Sequence, residues 1–206
     1  MSQDLPLYSQ PVLRGSDRFA SLDRARGMDL ELSIGRFDAL LDHGEGNDPA
    51  GEARGALINP SRSVLVEVHR LLFPGRPGSG SFRESAVPGV YPGQDCPEPR
   101  FIARSLDNFE KWLTAESFEE IHPVEQAALS LTRLVDIWPF GFGNHTAAVV
   151  FSNQFLLGAG YPPFFVLQDE IAEFNEILSQ AIRIQTGPLV RAISKCLERE
   201  LELVGS

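Results

Sequence analysis

Cysteine is scarce in this chain of 206 residues. The two cysteines, Cys96 and Cys196, lie far apart, and neither has a second thiol or a histidine at metal-ligand spacing. Disulfide scaffolds and zinc modules both need several cysteines at close, regular intervals. The sequence therefore predicts no disulfide framework and no metal site, and we expect both cysteines to be buried or incidental thiols.

Positive charge and long apolar runs are also in short supply. Lys and Arg number 18 against 28 Asp and Glu, which gives a net charge of −10 and a pI near 4.9. A field of that sign repels phosphate backbones and anionic lipid, so neither nucleic acid nor a membrane is an expected partner. No stretch approaches the roughly 18 consecutive apolar residues of a spanning helix, and the opening MSQDLPLYSQ does not read as a signal peptide. We expect a cytoplasmic protein.

Strand signals are few, whereas apolar residues at helical spacing are common. The content of 43% hydrophobic residues is enough for one core. We therefore predict an all-α class, with N-terminal helices and a flexible loop over residues 1–59 and a core domain over 60–206. We expect these two parts to form one structural unit. The helices of the core are predicted in six places: after Pro60, in LDNFEKWLTA, in HPVEQAALSLTRLVDI, from Asn144 to Leu157, around 168–182 and around 187–203.

A proline- and glycine-rich stretch interrupts these helices from Pro74 to Pro99. It cannot sustain a helix, so we expect a long loop or a small β-hairpin. Long loops inside compact domains often cover a site, which makes this segment and the following FIAR candidates for a flap. A plain surface connection is the alternative.

The most informative segment is LVDIWPFGFGNHTAAVV, in which one apolar helix stops and another begins after a tight turn. Pro139 ends the first helix, Gly141 and Gly143 permit unusual backbone dihedrals, and Asn144 can cap the next helix through its side-chain oxygen. A glycine-rich turn that leads into a helix N-terminus presents free N–H groups and the positive end of the helix dipole, which suits a phosphate. A simple capped helix that binds nothing is the alternative.

This segment resembles the core motif of Fic-domain proteins, His-Pro-Phe-x-Asp/Glu-Gly-Asn-Gly-Arg, which lies between two helices of an all-helical domain. The motif here is Trp138-Pro139-Phe140-Gly141-Phe142-Gly143-Asn144-His145-Thr146. The surroundings are similar too: HPVEQAALSLTRLVDI before the motif, AGYPP after it, GSFR at 80–83 and a closing helix in GPLVRAISKCLERELE. The resemblance covers roughly residues 60–203.

The resemblance implies nucleotidyl transfer from ATP, but the residues that perform it have changed. Trp138 replaces the histidine base, and indole offers only a donor N–H. Phe142 replaces the acid that holds Mg²⁺, and it has no oxygen ligand. Thr146 replaces the arginine that grips phosphate, which removes a planar fork of donors. His145 is a weak substitute base, because the dipole at the helix start would lower its pKa.

Two functions follow from this pattern. The first is a Fic-like binding or regulatory module without conventional AMP transfer, in which Trp138, Phe140 and Phe142 fill the former nucleotide pocket or line an aromatic cleft. The second is a divergent transferase of nucleotidyl or other phosphate-linked groups. It would hold its ligand at Gly141, Phe142, Gly143, Asn144 and Thr146, and only then would ATP and Mg²⁺ be cofactors. A protein partner or target is expected in either case, and a toxin or antitoxin role is suggested only by family association.

Overall fold

The computed structural model describes Phe19, Leu22 and residues 60–204. The helices are α1 (Arg62–Leu72), α2 (Pro99–Leu113), α3 (Glu116–Glu119), α4 (Pro123–Ile137), α5 (Asn144–Gly158), a 3-10 helix (Gln168–Glu170), α6 (Ile171–Ile182) and α7 (Thr186–Val204). Over these residues the predicted all-α class is confirmed. The predicted N-terminal helices and the loop up to residue 59 lie outside the described residues, apart from Phe19 and Leu22, which are buried in the core.

The helices α4 and α5 form the centre of the fold. Eleven of the fifteen residues of α4 and nine of the fifteen residues of α5 are buried. The helix α1 packs against α5, α2 packs against α4, and α7 packs against both α4 and α6. The tight turn between α4 and α5 is thereby fixed by the most deeply buried pair of helices.

Local signals explain where the helices begin. Ser61 caps α1 by accepting a hydrogen bond from the Val64 N–H at 3.2 Å. The helix therefore begins after Pro60, as predicted, but Pro60 precedes the cap and is not part of the first turn, where we expected it. Pro99 and Pro123 stand at the first position of α2 and α4, where a missing N–H costs nothing. The start at Pro99 places FIAR, residues 101–104, inside α2, so the prediction that it belongs to a flap is wrong.

The loop between α1 and α2, residues 73–98, has no strand of its own among the described residues. It makes a single antiparallel bridge, between Phe82 and Phe140 of the turn after α4. The Arg83 N–H donates to the Pro139 carbonyl at 3.0 Å beside that bridge. The predicted long loop is therefore confirmed, and it packs against the motif. We call residues 82–97 the strap.

No helix among the described residues is long and apolar enough to cross a membrane.

Candidate functional site at the turn between the central helices

The turn between α4 and α5 begins and ends with left-handed backbone. Trp138 closes α4 at φ 50° and ψ 60°, and its N–H donates to the Leu134 carbonyl at 3.0 Å. Gly143 precedes α5 at φ 66°. A bulky residue at positive φ is a genuine outlier, so the packing around Trp138 must hold it there. Gly141 is not among the residues with positive φ, and the freedom we predicted for it is not used.

Asn144 stabilises the turn in a way that differs from the prediction. Gly143 is the N-cap, and Asn144 is the first residue of α5. The Asn144 Oδ1 accepts from the Phe140 N–H at 2.8 Å, and its Nδ2 donates to the Phe140 carbonyl at 2.8 Å. The side chain therefore brackets one peptide unit of the turn and does not cap the helix.

Aromatic rings fill the space on one side of the turn. The His69 ring stacks on Phe140 with centroids 3.8 Å apart, and it also contacts Phe73 and Phe142 at 5.0 Å each. Phe140 is 1% exposed, so it cannot stack on a ligand. The guanidinium of Arg76 lies 3.9 Å above the Phe142 ring. Phe140 and Phe142 thus belong to a packed cluster and do not share an open cleft with Trp138.

His69 is the polar centre of that cluster, although its sequence surroundings suggested no partner. Its Nδ1 accepts from the Gly80 N–H at 2.9 Å, so its Nε2 carries the proton and donates to the Phe142 carbonyl at 3.0 Å. The ring is fully buried, and this desolvation lowers its pKa. A neutral His69 therefore joins α1, the loop after it and the motif turn.

Trp138 and His145 lie on the other side of the turn. Their rings meet edge to face with centroids 4.9 Å apart. Tyr91 of the strap donates its hydroxyl proton to Asn175 Oδ1 at 3.1 Å, and His145 Nε2 lies 2.6 Å from the same hydroxyl. Because a hydroxyl has one proton, His145 donates in this arrangement and its Nε2 has no free lone pair.

Burial changes the pKa values of His145 and Tyr91. Desolvation by burial lowers the pKa of His145, which agrees with the predicted direction. Desolvation also raises the pKa of Tyr91 to about 12. Both residues are therefore uncharged at neutral pH. In this arrangement the lone pair of the neutral His145 is on Nδ1, and its Nε2 cannot accept a proton from a target hydroxyl.

The strap is anchored to the turn by buried polar side chains. Arg83, which is 6% exposed, donates to the carbonyls of Trp138 at 2.8 Å, Ser85 at 3.0 Å and Pro97 at 2.5 Å. Gln94 Nε2 donates to the Val135 carbonyl at 2.7 Å, near the end of α4. These bonds hold the strap across the end of α4 and bring Tyr91 to the start of α5.

The predicted anion-binding residues surround the N-terminus of α5 without forming a clamp. Gly141 is exposed, Phe142, Gly143 and Thr146 are partly buried, and Asn144 is 4% exposed. The polar atoms of Asn144 are already used by Phe140, and the hydroxyl of Thr146 is the only hydroxyl in the motif. The motif, residues 138–146, contains no Asp or Glu and so offers no carboxylate ligand. The motif residues therefore do not fit a bound Mg²⁺.

Sequence reasoning missed His69, Tyr91 and Asn175. Tyr91 and Asn175 are 84 residues apart, and no local pattern marks such a pair. A signal was available for the loop between α1 and α2, because GSFR includes both Gly80, which donates to His69, and Arg83, which donates to Trp138. The resemblance of that tetrapeptide was noted, but its contacts could not be predicted from it.

Comparison with known proteins shows the relationship of this chain. Residues 59–156 match the family model described as the Fic/DOC family. "Protein adenylyltransferase Fic" of Nematostella vectensis is 29% identical over 205 residues, which cover 95% of this chain and 47% of the relative. The protein of the same name from Drosophila erecta is 35% identical over 124 residues, which cover 60% of this chain and 25% of the relative. The chain thus spans about half or less of the length of these curated relatives.

The solved structure of Fic-1, residues 134–508, from C. elegans has a similar fold. The TM-score is 0.67 at 21% sequence identity, and the match covers 94% of this chain and 67% of that one. Residues 59–156 thus match the Fic/DOC family model, and the chain has the all-helical Fic fold.

Proposed function

We propose that this chain is a Fic-fold binding or regulatory module that has lost conventional AMP transfer. The observation that carries the proposal is that the motif lacks a side chain placed to act as the general base. Trp138 stands where the motif resemblance puts the histidine, and the nearby His145 has its Nε2 engaged by Tyr91 at 2.6 Å. In this arrangement Nε2 of His145 cannot act as the general base for an incoming hydroxyl.

The other two replaced positions support the same proposal. Phe142 is held in the aromatic cluster by Phe73 and His69, with ring centroids 5.3 Å and 5.0 Å away. Thr146 offers one neutral hydroxyl in place of a guanidinium. General-base and electrostatic contributions commonly supply about a hundredfold or more of rate each, so the combined loss is severe. The retained Pro139, Phe140, Gly143 and Asn144 then serve the turn itself.

The test compares the natural chain with a repaired motif. The purified protein is titrated with ATP, CTP, GTP and UTP, with and without Mg²⁺, by isothermal titration calorimetry and thermal shift. It is then incubated with ATP labelled at the α-phosphate. We expect neither saturable binding nor incorporation of label. A variant with Trp138→His, Phe142→Asp, His145→Gly and Thr146→Arg reports what the motif alone restores, and the same variant with Trp138 retained is its control.

A divergent transferase is the second candidate. It is supported by the names of the curated relatives, which are protein adenylyltransferases, and by the left-handed Gly143 that opens the N-terminus of α5. A nucleotide or another phosphate-linked donor and a protein target would be its partners. Covalent labelling of the natural chain, or of a protein added to it, would establish this candidate and overturn the first.

A further inference from the structure

A cleft lies between α6 and α7, away from the motif, and no motif residue lines it. Its volume is about 350 Å³, which is within the range of small-molecule sites. The apolar part of its lining is formed by partly buried side chains of both helices and of the segment before them. These residues are Val166, Phe174, Ile177, Pro188 and Ala192.

Cations line one side of this cleft. Arg191, Lys195 and Arg199 follow one another at intervals of four residues, so they occupy one face of α7. Arg199 is engaged, because its Nη1 donates to both carboxylate oxygens of Glu170 at 2.8 Å and 2.9 Å. Arg191 and Lys195 are exposed and have no ion-pair partner within the part of the chain that the structure describes.

The remaining charges of the cleft divide into an inner network and an exposed mouth. Arg199 pairs with Glu170 and also, at 3.4 Å, with the fully buried Glu200, so the inner network has one cation for two carboxylates. At the exposed mouth, Arg191 and Lys195 stand beside Glu173, so two cations accompany one carboxylate next to the apolar floor. Cys196 also lines the cleft, but burial raises the pKa of its thiol to about 11, so it is not a nucleophile at neutral pH.

We propose that this cleft binds a small amphipathic anion, with an apolar aromatic or alkyl body and a single carboxylate, sulfonate or phosphate head. The body packs on Phe174, Ile177 and Ala192, and the head pairs with Arg191 and Lys195. Both parts are needed, because exposed cations alone hold an anion weakly in water, and an apolar floor alone does not select charge. The proposal does not depend on the activity of the motif.

The test uses 1-anilinonaphthalene-8-sulfonate as a fluorescent probe and decanoate as a competitor. We expect saturable binding of one probe molecule, displacement by decanoate, and no displacement by equal concentrations of 1-decanol or inorganic phosphate. The variant Arg191→Gln/Lys195→Gln should weaken binding about tenfold or more, since two contacts to a charged head are lost. The matched control is Arg104→Gln/Lys111→Gln, which removes two exposed cations from α2 and should change the affinity less than twofold.

A third variant distinguishes binding in the cleft from a general effect of the protein's charge on the probe. Ala192→Leu fills the floor of the cleft without changing the net charge, and it should also weaken binding of the probe. Circular dichroism and the melting temperature verify that the variant is folded. Equal effects of the two charge variants would overturn the proposal, as would binding that none of the variants alters. An acidic amphipathic peptide that binds the cleft when decanoate does not would also overturn it, and would identify a docking surface for protein.

Discussion

Substitution of Gly143 by alanine tests whether the turn between α4 and α5 depends on this glycine. Gly143 has φ 66°, and a Cβ built on it would fall well inside van der Waals contact of Cε2 and Cζ of Phe73, with Cδ2 at 3.1 Å. A non-glycine residue in the left-handed region costs about 1–2 kcal/mol, and overpacking costs about 1–3 kcal/mol more. We therefore expect Gly143→Ala to lower the free energy of unfolding by about 2–5 kcal/mol.

Gly141 provides the matched control two residues away. It is exposed, its φ is not positive, and a Cβ there would meet nothing within 4 Å. Gly141→Ala should change stability by no more than about 0.5 kcal/mol. Urea unfolding followed by tryptophan fluorescence and circular dichroism measures both variants. Equal stabilities of the two alanine variants would refute the reasoning.

A double-mutant cycle identifies the clash with Phe73 as a cause. Phe73→Leu removes the ring atoms that the new Cβ would meet, so Gly143→Ala should cost less in that background. We expect a coupling of about 1–2 kcal/mol, within the usual range for residues in contact. Strict additivity would show that the backbone conformation alone accounts for the loss.

The remaining predictions concern three other features. Ile184→Gly should raise stability by about 1 kcal/mol, because an exposed β-branched residue with φ 75° stands at the end of α6, where glycine is favoured. Asn144→Ala should lower it by about 2–4 kcal/mol, because both backbone groups of Phe140 lose their partner in a buried place. Burial lowers the folded-state pKa values of His69 and His145. Their neutral rings therefore contribute fully to the free energy of unfolding above the pKa of an unfolded histidine, and this contribution should be lost as the pH falls below about 6.5. Urea titrations from pH 7.5 to 5.5 measure this loss.

Each of these predictions has a control in the same chain. Ile171 is as exposed as Ile184 but has right-handed helical backbone, so Ile171→Gly should destabilise. Asn153 brackets Phe164 with the same pair of hydrogen bonds, and Asn153→Ala should cost about as much as Asn144→Ala. A much larger loss at one asparagine would contradict the view that both act as brackets. The double variant His69→Gln/His145→Gln should show a flatter pH dependence than the natural chain, and an unchanged slope would contradict the assignment.

The helices could be predicted because their signals are local. Pro123 and the glycines around the motif fixed the ends of α4 and α5 to within a residue or so. The start of α2 was missed because Pro99 is both the last residue of a proline-rich stretch and the first residue of the helix. Proline is common in loops and also at the first position of a helix, and the neighbouring residues do not distinguish these two roles.

The contacts of the site could not be predicted because they are distant in sequence. Asn144 was expected to cap α5, which is the usual role of asparagine before a helix. It is instead the first residue of that helix and turns back to Phe140. His69 bonds to a carbonyl 73 residues away, and Tyr91 bonds to His145 54 residues away. Such pairs depend on how the helices pack, which no single segment encodes.

The structure suggests that the changes in the motif are coupled through their neighbours. Phe142 is part of a ring cluster around His69, while His145 is engaged by Tyr91 of the strap and packed against Trp138. Trp138→His alone would remove the indole but leave the Tyr91 hydroxyl on His145 and the aromatic cluster at Phe142. A single restored base should therefore not restore transfer. If any repair succeeds, we expect it to need the metal and phosphate positions as well, together with His145→Gly, which removes the side chain that Tyr91 contacts.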